Sequence, residues 1–247
     1  GKRGLFVNKL GKILFEAFIV NKNDVIQLIT DPSEEKRLLK HLDFFAITED
    51  VTFNLTTNME FFYLLEESGK TEIPADLSQI WSINKDDGQI RVVSQIKGGN
   101  GFKGLVDAGF QIVGFEAYEE LRPAFELSRA GIDFDSDRIP QEAALEDYVA
   151  FDKGCYLGQE PISRVAFRGQ EKHKLVCFKS LNPVPSGLPI IAGDEEVGIV
   201  TSGSSIQIRG GFYSLGYLES SWIGNSSLPL YCTTSELLVD RKKDKAE

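Results

Sequence analysis

The last third of the chain limits its fold more than any other part. From about Lys174 onward, short apolar runs follow one another at residues 175–178, 188–192, 197–201, 213–218 and 237–239. Pro-, Gly- and Ser-rich turns separate them, notably Gly193-Asp194 and Ser202-Gly203-Ser204. Short strands at that spacing predict a small sandwich or barrel. The polar tail from Asp240 is expected to fray.

The preceding residues mix strands and helices. Residues 5–8 and 12–20 read as strands joined by a turn at Leu10-Gly11, and 25–30 continues the strand character. A helix is expected from Asp31, with Pro32 at its first position and an apolar stripe of Leu38, Leu39, Leu42 and Phe45. Residues 51–56 read as a strand, 58–68 as a helix closed by Gly69, 90–96 as a strand, and 116–130 as a helix stopped by Gly131. The order follows no strict βαβ rhythm, so the class is α+β rather than a doubly wound sheet.

At 247 residues and 42% hydrophobic content the chain buries a core without staples. Its net charge of −10 argues against a nucleic-acid surface spread over the whole molecule, although a local basic pocket for a small anion remains compatible. No apolar run approaches the roughly 20 residues that span a bilayer, and the start of the chain has no signal-peptide pattern. Cys155, Cys177 and Cys232 are odd in number and lack C-x-x-C spacing, which fits reduced thiols in a cytoplasm-like compartment. Two histidines and three scattered cysteines give no metal-ligand spacing. Residues 98–104 are glycine-rich but fail the phosphate-loop spacing. Asp133-Phe134-Asp135-Ser136-Asp137 opens like a calcium loop, yet Arg138 stands where Gly must turn and Ala144 where a bidentate Glu is needed, so a solvated acidic loop is expected.

The chemistry concentrates in Lys153-Gly154-Cys155-Tyr156-Leu157-Gly158-Gln159-Glu160. If residues 151–156 run extended, Lys153 and Cys155 share a face, and the ammonium favours the thiolate. Glu160 precedes Pro161 and should be extended, with a short helix from Pro161 to Phe167 stopped by Gly169. That helix would bring a positive end near the thiol and place Arg164 to meet a carboxylate. The other reading makes Cys155 a small buried residue at a strand end, with Gln159 and Glu160 capping the helix.

Extended through Arg164 and Arg168-Gly169, this octapeptide resembles the signature of the YgfZ-type folate-binding proteins. Their signature reads Lys-Gly-Cys-Tyr-x-Gly-Gln-Glu, followed by an Arg and often by Arg-Gly. Arg138-Ile139-Pro140-Gln141-Glu142 is similar to the Ile-Pro-Gln/Glu segment that precedes the signature, and residues 196–202 to a Val-Gly-x-Val-Thr-Ser barrel strand. The resemblance covers nearly the whole chain, weakly before residue 110 and strongly after 138.

The family is related to the T-protein of the glycine cleavage system, a tetrahydrofolate-dependent aminomethyltransferase. The resemblance implies a T-protein-like cloverleaf of mixed α/β lobes with a small C-terminal β-barrel. Residues 1–173 would be a folate-binding α+β region of two interleaved lobes, and 174–247 the barrel. Tetrahydrofolate, or another reduced folate, is the implied cofactor. Glu142 would hold the pterin amino edge, as a carboxylate accepting two parallel hydrogen bonds can; equally, it would cap a helix running to Tyr148. Lys153, Gly154, Tyr156, Gln159 and Glu160 would line the site, Arg164 and Arg168 would favour the glutamate tail, and Cys155 would act as a redox or transfer thiol. The implied role is cytoplasmic support of iron–sulfur cluster assembly or repair, and through it of tRNA modification enzymes. Its partners would be the small-molecule folate and iron–sulfur client proteins, with no direct nucleic acid, membrane or resident metal.

The departures also matter. The T-protein's Gly-Gly-Ile-x-Asp-Asp run corresponds to Gly11-Lys12-Ile13-Leu14-Phe15-Glu16. One acid is lost and the other lengthened, which weakens the alternative of an aminomethyltransferase or demethylase with Glu16 in the acid's place. Relatives carry several dozen residues before this strand, so the chain is expected to lack the usual N-terminal segment. Pro161 stands where relatives have an aliphatic residue. A third reading keeps the fold as a scaffold that binds no folate.

Overall fold

The computed structural model describes all residues except 23, 67–70, 86–87, 170, 225–228, 233–234 and 240–247. Two units emerge. One comprises residues 1–5 and 15–112, the other residues 6–14 and 113–247. The chain thus starts in the first unit, contributes residues 6–14 to the second, returns to complete the first, and then builds the rest of the second.

In the first unit, strands β1 (Lys2–Val7), β2 (Ile13–Lys22) and β3 (Val25–Ile29) form a sheet in that order. Strand β2 alternates buried and half-buried residues, with Ile13, Phe15 and Ala17 inward. Helix α1 (Glu35–Phe45) starts later than Asp31, because the Asp31 carboxylate accepts the Ser33 N–H at 2.9 Å and closes a turn first. A second sheet follows, with the order β4 (Met59–Glu66), β6 (Gly88–Ile96), β5 (Ser78–Lys85), and then helix α2 (Gly101–Asp107). Leu64, Leu77, Val93 and Leu105 form its core.

Several expectations are corrected here. Residues 51–56 form no strand. Residues 59–66, expected to be helical, pair antiparallel with β6 from Met59↔Ile96 to Glu66↔Gln89; the expected close at Ser68-Gly69 lies outside the described residues. A run of mixed aromatic and aliphatic residues this short fits either state, and pairing decides it. Strand β5, polar at Ser78, Gln79, Ser82 and Asn84, gave no signal at all.

In the second unit, the expected long helix from 116 to 130 is helix α3 (Phe115–Leu121) followed by a 3-10 turn at Arg122–Phe125. Pro123 interrupts the helical hydrogen bonds, and Glu126 ends the segment in the left-handed region at φ 52°. The barrel expected after residue 174 is present. Strands β7 (His173–Ser180), β8 (Pro189–Ala192), β9 (Glu195–Gly203), β10 (Phe212–Glu219), β11 (Leu230–Cys232) and β12 (Ser235–Val239) close in the cyclic order β10-β7-β12-β11-β8-β9. Closure removes the free edges that an open sheet of short strands would expose.

Phe178, Ile190, Val197, Val200, Leu218 and Leu237 fill the barrel. Strand β10 is buried on both faces, because Tyr213, Leu215 and Tyr217 point outward against Ala124, Phe125 and Leu175. That outer layer explains why the strand reads as almost continuously apolar.

The acidic stretch from Asp133 is no solvated loop at its first residue. Asp133 is buried, accepts the Arg129 N–H at 2.9 Å and the Thr201 hydroxyl at 2.6 Å, and also binds Ser202 and the guanidinium of Arg122. A charge is retained there because each oxygen has donors. The composition of the stretch carried no hint of this, since its partners lie far away in sequence.

Candidate functional site

The site is assembled from three segments of the second unit: residues 8–13, 137–142 and 156–162. Asn8 shapes the first. Its side-chain oxygen accepts the N–H groups of Leu10 and Lys12 at 2.9 and 3.1 Å, and its backbone oxygen accepts the Gly11 N–H at 2.9 Å. The second segment docks through backbone, with Ile13 N donating to Arg138 O at 2.9 Å. Lys12 Nζ donates to Asp137 O at 2.7 Å, and the Gln141 side-chain amide donates to Ile162 O at 2.9 Å, which ties the third segment to the second.

The signature octapeptide runs through bends into helix α4 (Gln159–Arg168). The expected extended run at 151–156 is absent, since residues 151–154 bend. Lys153 therefore does not share a strand face with Cys155; its ammonium lies over the Tyr156 ring, 4.7 Å from the centroid. Cys155 is exposed, which overturns the reading of a small buried cysteine. Gly154 is exposed, and a side chain there would meet nothing within 4 Å. Among the described residues the buried Tyr156 hydroxyl has no hydrogen-bond partner, and burial pushes its pKa up.

Helix α4 begins two residues earlier than expected, so Glu160 is helical rather than extended. Gly158 caps it at φ 78°, a conformation that leaves the next residue free to start the helix. Pro161 becomes the third helical residue, where its missing N–H falls among the first four that have no intrahelical partner anyway. A Cβ on Gly158 would stand 2.2 Å from Asn8 O, so backbone meets backbone at this turn. Gln159 is half-buried, and its N–H donates to Tyr156 O at 3.2 Å. On the exposed side Arg164 pairs with Glu160 at 3.0 Å through one nitrogen, and Arg168 ends the helix exposed, with Gly169 as its cap.

Glu142 lies opposite this segment in a series of turns. One oxygen, Oε2, accepts the Ile139 N–H at 3.2 Å and lies 3.6 Å from Lys12 Nζ. The other oxygen makes no hydrogen bond among the described residues. The alternative in which Glu142 caps a helix to Tyr148 is overturned: Ala144 sits at φ 54°, which breaks any such helix, and only a 3-10 turn at Glu146–Tyr148 remains. Arg138 lays its guanidinium over the Tyr217 ring, 4.0 Å from the centroid. Burial pushes the Tyr217 hydroxyl far above its ordinary pKa, against the pull of Arg138, so the ring is neutral. Lys12, Arg138 and Tyr217 were given no site role in the sequence; the first two lie within quoted motifs, but nothing local links them to Tyr217.

Glu16 belongs to the other unit, where its carboxylate pairs with Arg3 Nε at 2.8 Å. Among the described residues no group of three His, Cys, Asp or Glu side chains is arranged to hold a metal, and no helix is long and apolar enough to cross a membrane.

No family model matches the chain. The crystal structure of the glycine cleavage system aminomethyltransferase T from Bartonella henselae superimposes with a TM-score of 0.70 over 96% of this chain and 73% of that one, at 16% identity. Among curated proteins, a tRNA-modifying protein YgfZ from Colwellia psychrerythraea is 22% identical over 194 residues, covering 72% of this chain and 59% of that protein. The fold is that of the T-protein, and its sequence relatives are of both kinds. The chain is YgfZ/T-protein-like. An aminomethyltransferase from Caldanaerobacter subterraneus is 33% identical over 99 residues, or 39% of this chain and 26% of that protein. A putative chloroplastic transferase from Arabidopsis thaliana is 29% identical over 156 residues, or 60% and 34%. The chain thus spans less than two thirds of the curated relatives it matches. The mixed α/β architecture with a small C-terminal barrel is the one this YgfZ/T-protein-like reading of the sequence called for.

Proposed function

We propose that this chain is a tetrahydrofolate-binding accessory protein that supports iron–sulfur cluster assembly or repair, and thereby cluster-dependent tRNA modification enzymes. The observation that carries the folate part is the state of Glu142. A largely buried carboxylate, with one oxygen anchored by Ile139 and Lys12 and the other without a hydrogen bond among the described residues, suits a ligand edge with adjacent N–H donors. The 2-amino-pyrimidinone edge of a pterin is such an edge. The residues proposed to hold it fall within 1–173, with Tyr156 and Gln159 beside the ligand and Arg164 and Arg168 toward its carboxylate tail. Bound folate would supply a one-carbon carrier; the chain's own part is to orient it and shield it from water.

Support for the client role comes from the signature octapeptide and from a relative named a tRNA-modifying protein. In this reading Cys155, exposed at the bend before α4, presents a thiol to iron–sulfur client proteins in the cytoplasm. The aminomethyltransferase alternative draws on relatives of that name, but Glu16, in the acid's place, is engaged by Arg3.

The test is a calorimetric titration with a stable reduced folate. Saturable binding that weakens at least tenfold in Glu142→Ala supports the pocket. No binding overturns the folate reading. For the client role, cells lacking the protein are complemented with Cys155→Ser; full recovery of cluster-enzyme activity would remove Cys155 from the proposal.

A further inference from the structure

Resting on the folate reading, one cation of the cluster has an unspent capacity. The backbone of Arg138 is fixed on both sides, with its N–H on Asp135 O at 3.2 Å and its carbonyl taking the Ile13 N–H at 2.9 Å. Its side chain is half-buried, with the guanidinium carbon over the Tyr217 ring. Among the described residues the guanidinium makes neither a hydrogen bond nor an ion pair. A guanidinium carries five N–H donors, and taking it out of water with none of them used is unfavourable. Lys12 differs: its ammonium is occupied by Asp137 O and by Glu142. The Glu142 carboxylate in turn sits on the N–H of the peptide that follows Arg138. A carboxylate acceptor and a free planar donor thus emerge from one short stretch of backbone.

A 2-amino-4-oxopteridine offers, along one edge, the 2-amino donor, the ring N3–H donor and the 4-oxo acceptor. Glu142 matches the first two. The third place calls for a donor, and a planar guanidinium suits an sp² oxygen better than a point charge does. We propose that Arg138 donates to the 4-oxo group and so makes this site select 4-oxo over 4-amino pteridines. A 4-amino group would turn an N–H toward the guanidinium, leaving donor against donor, and sites built on such polar contacts discriminate strongly.

The experiment compares tetrahydrofolate with tetrahydroaminopterin, which differ in the 4-substituent and, with it, in N3 (a donor in the first and an acceptor in the second), by calorimetry on the full chain. The wild-type protein is expected to bind tetrahydrofolate at least about tenfold more tightly, the worth of one hydrogen bond to a charged donor. Arg138→Met keeps the stem on Tyr217 and should lower the preference about tenfold relative to the wild type, leaving the share that N3 and Glu142 contribute, while Arg138→Lys recovers part of it. Glu142→Gln should weaken tetrahydrofolate, because the amide presents a donor to its N3–H. Tetrahydrofolate binding with no preference in the wild type, or with an unchanged preference in Arg138→Met, overturns this proposal and leaves the folate reading standing. Binding of neither ligand overturns both.

Discussion

Arg122 and Asp133 form an ion pair almost wholly sealed from solvent, with side-chain exposures of 3% and 0%. Arg122 also reaches Ser202 at 2.6 Å and Glu119 at 2.8 Å, while Asp133 takes the Thr201 hydroxyl. The segment after α3 is thereby fastened to strand β9 by charges rather than by apolar packing alone. A buried pair of this kind contributes little over a hydrophobic substitute, but losing one partner is expensive. Asp133→Ala leaves Arg122 buried without its counter-charge. A loss of about 3–5 kcal/mol of unfolding free energy is expected, measured by urea denaturation.

The two glycines of the signature should respond differently to alanine. At Gly158 the backbone is left-handed and an added Cβ would collide with Asn8 O, so Gly158→Ala should cost at least about 1–2 kcal/mol. At Gly154 nothing lies within 4 Å, and Gly154→Ala should stay within about 0.5 kcal/mol. Thermal melts of the two variants give the comparison directly.

Glu120 should make a small part of the stability depend on acid. Burial works against its charged form, but the Ser205 N–H at 2.5 Å and the hydroxyls of Ser205 and Ser204 outweigh it, so its pKa falls below the ordinary 4.5. A carboxylate whose folded pKa is depressed stabilises the fold above the unfolded value and loses that contribution as pH drops through the folded one. The wild-type protein should therefore lose stability below about pH 4.5 faster than Glu120→Gln does, as denaturant midpoints across pH 3–6 would show.

Thiol chemistry should separate the cysteines. Cys155 is exposed, whereas Cys177 and Cys232 are 5% and 1% accessible. A chromogenic disulfide reagent should consume one thiol quickly in the native chain and three after denaturation. Cys155→Ser should abolish the fast phase and leave the other two slow.

The parts of the fold that sequence disclosed are those whose pattern is local. The barrel strands showed themselves because turns punctuate each one, and β2 and β3 because each is a run of strand-forming residues. Residues 59–66 were misread because a short apolar run is ambiguous until it finds a partner, here β6. Strand β5 was invisible because pairing, not composition, makes it a strand. In the candidate site, the octapeptide and Glu142 were visible as motifs. The contact of Gly158 with Asn8, the stacking of Arg138 on Tyr217 and the donors around Asp133 were not, since each joins residues that only the folded chain brings together.

The turn at residues 8–11 also has a consequence for how the molecule is made. Lys12 meets Asp137 across 125 positions of sequence, and its unit resumes only at residue 113. On the ribosome this turn emerges before residues 15–112, yet the carbonyls that Lys12 and the Ile13 N–H bind are synthesised only after them. This piece of the candidate site must therefore wait for its distant partners while the intervening residues fold. Nascent chains halted before residue 137 would leave Lys12 and the Ile13 N–H without these partners, and chains released beyond α4 would be able to dock all three segments.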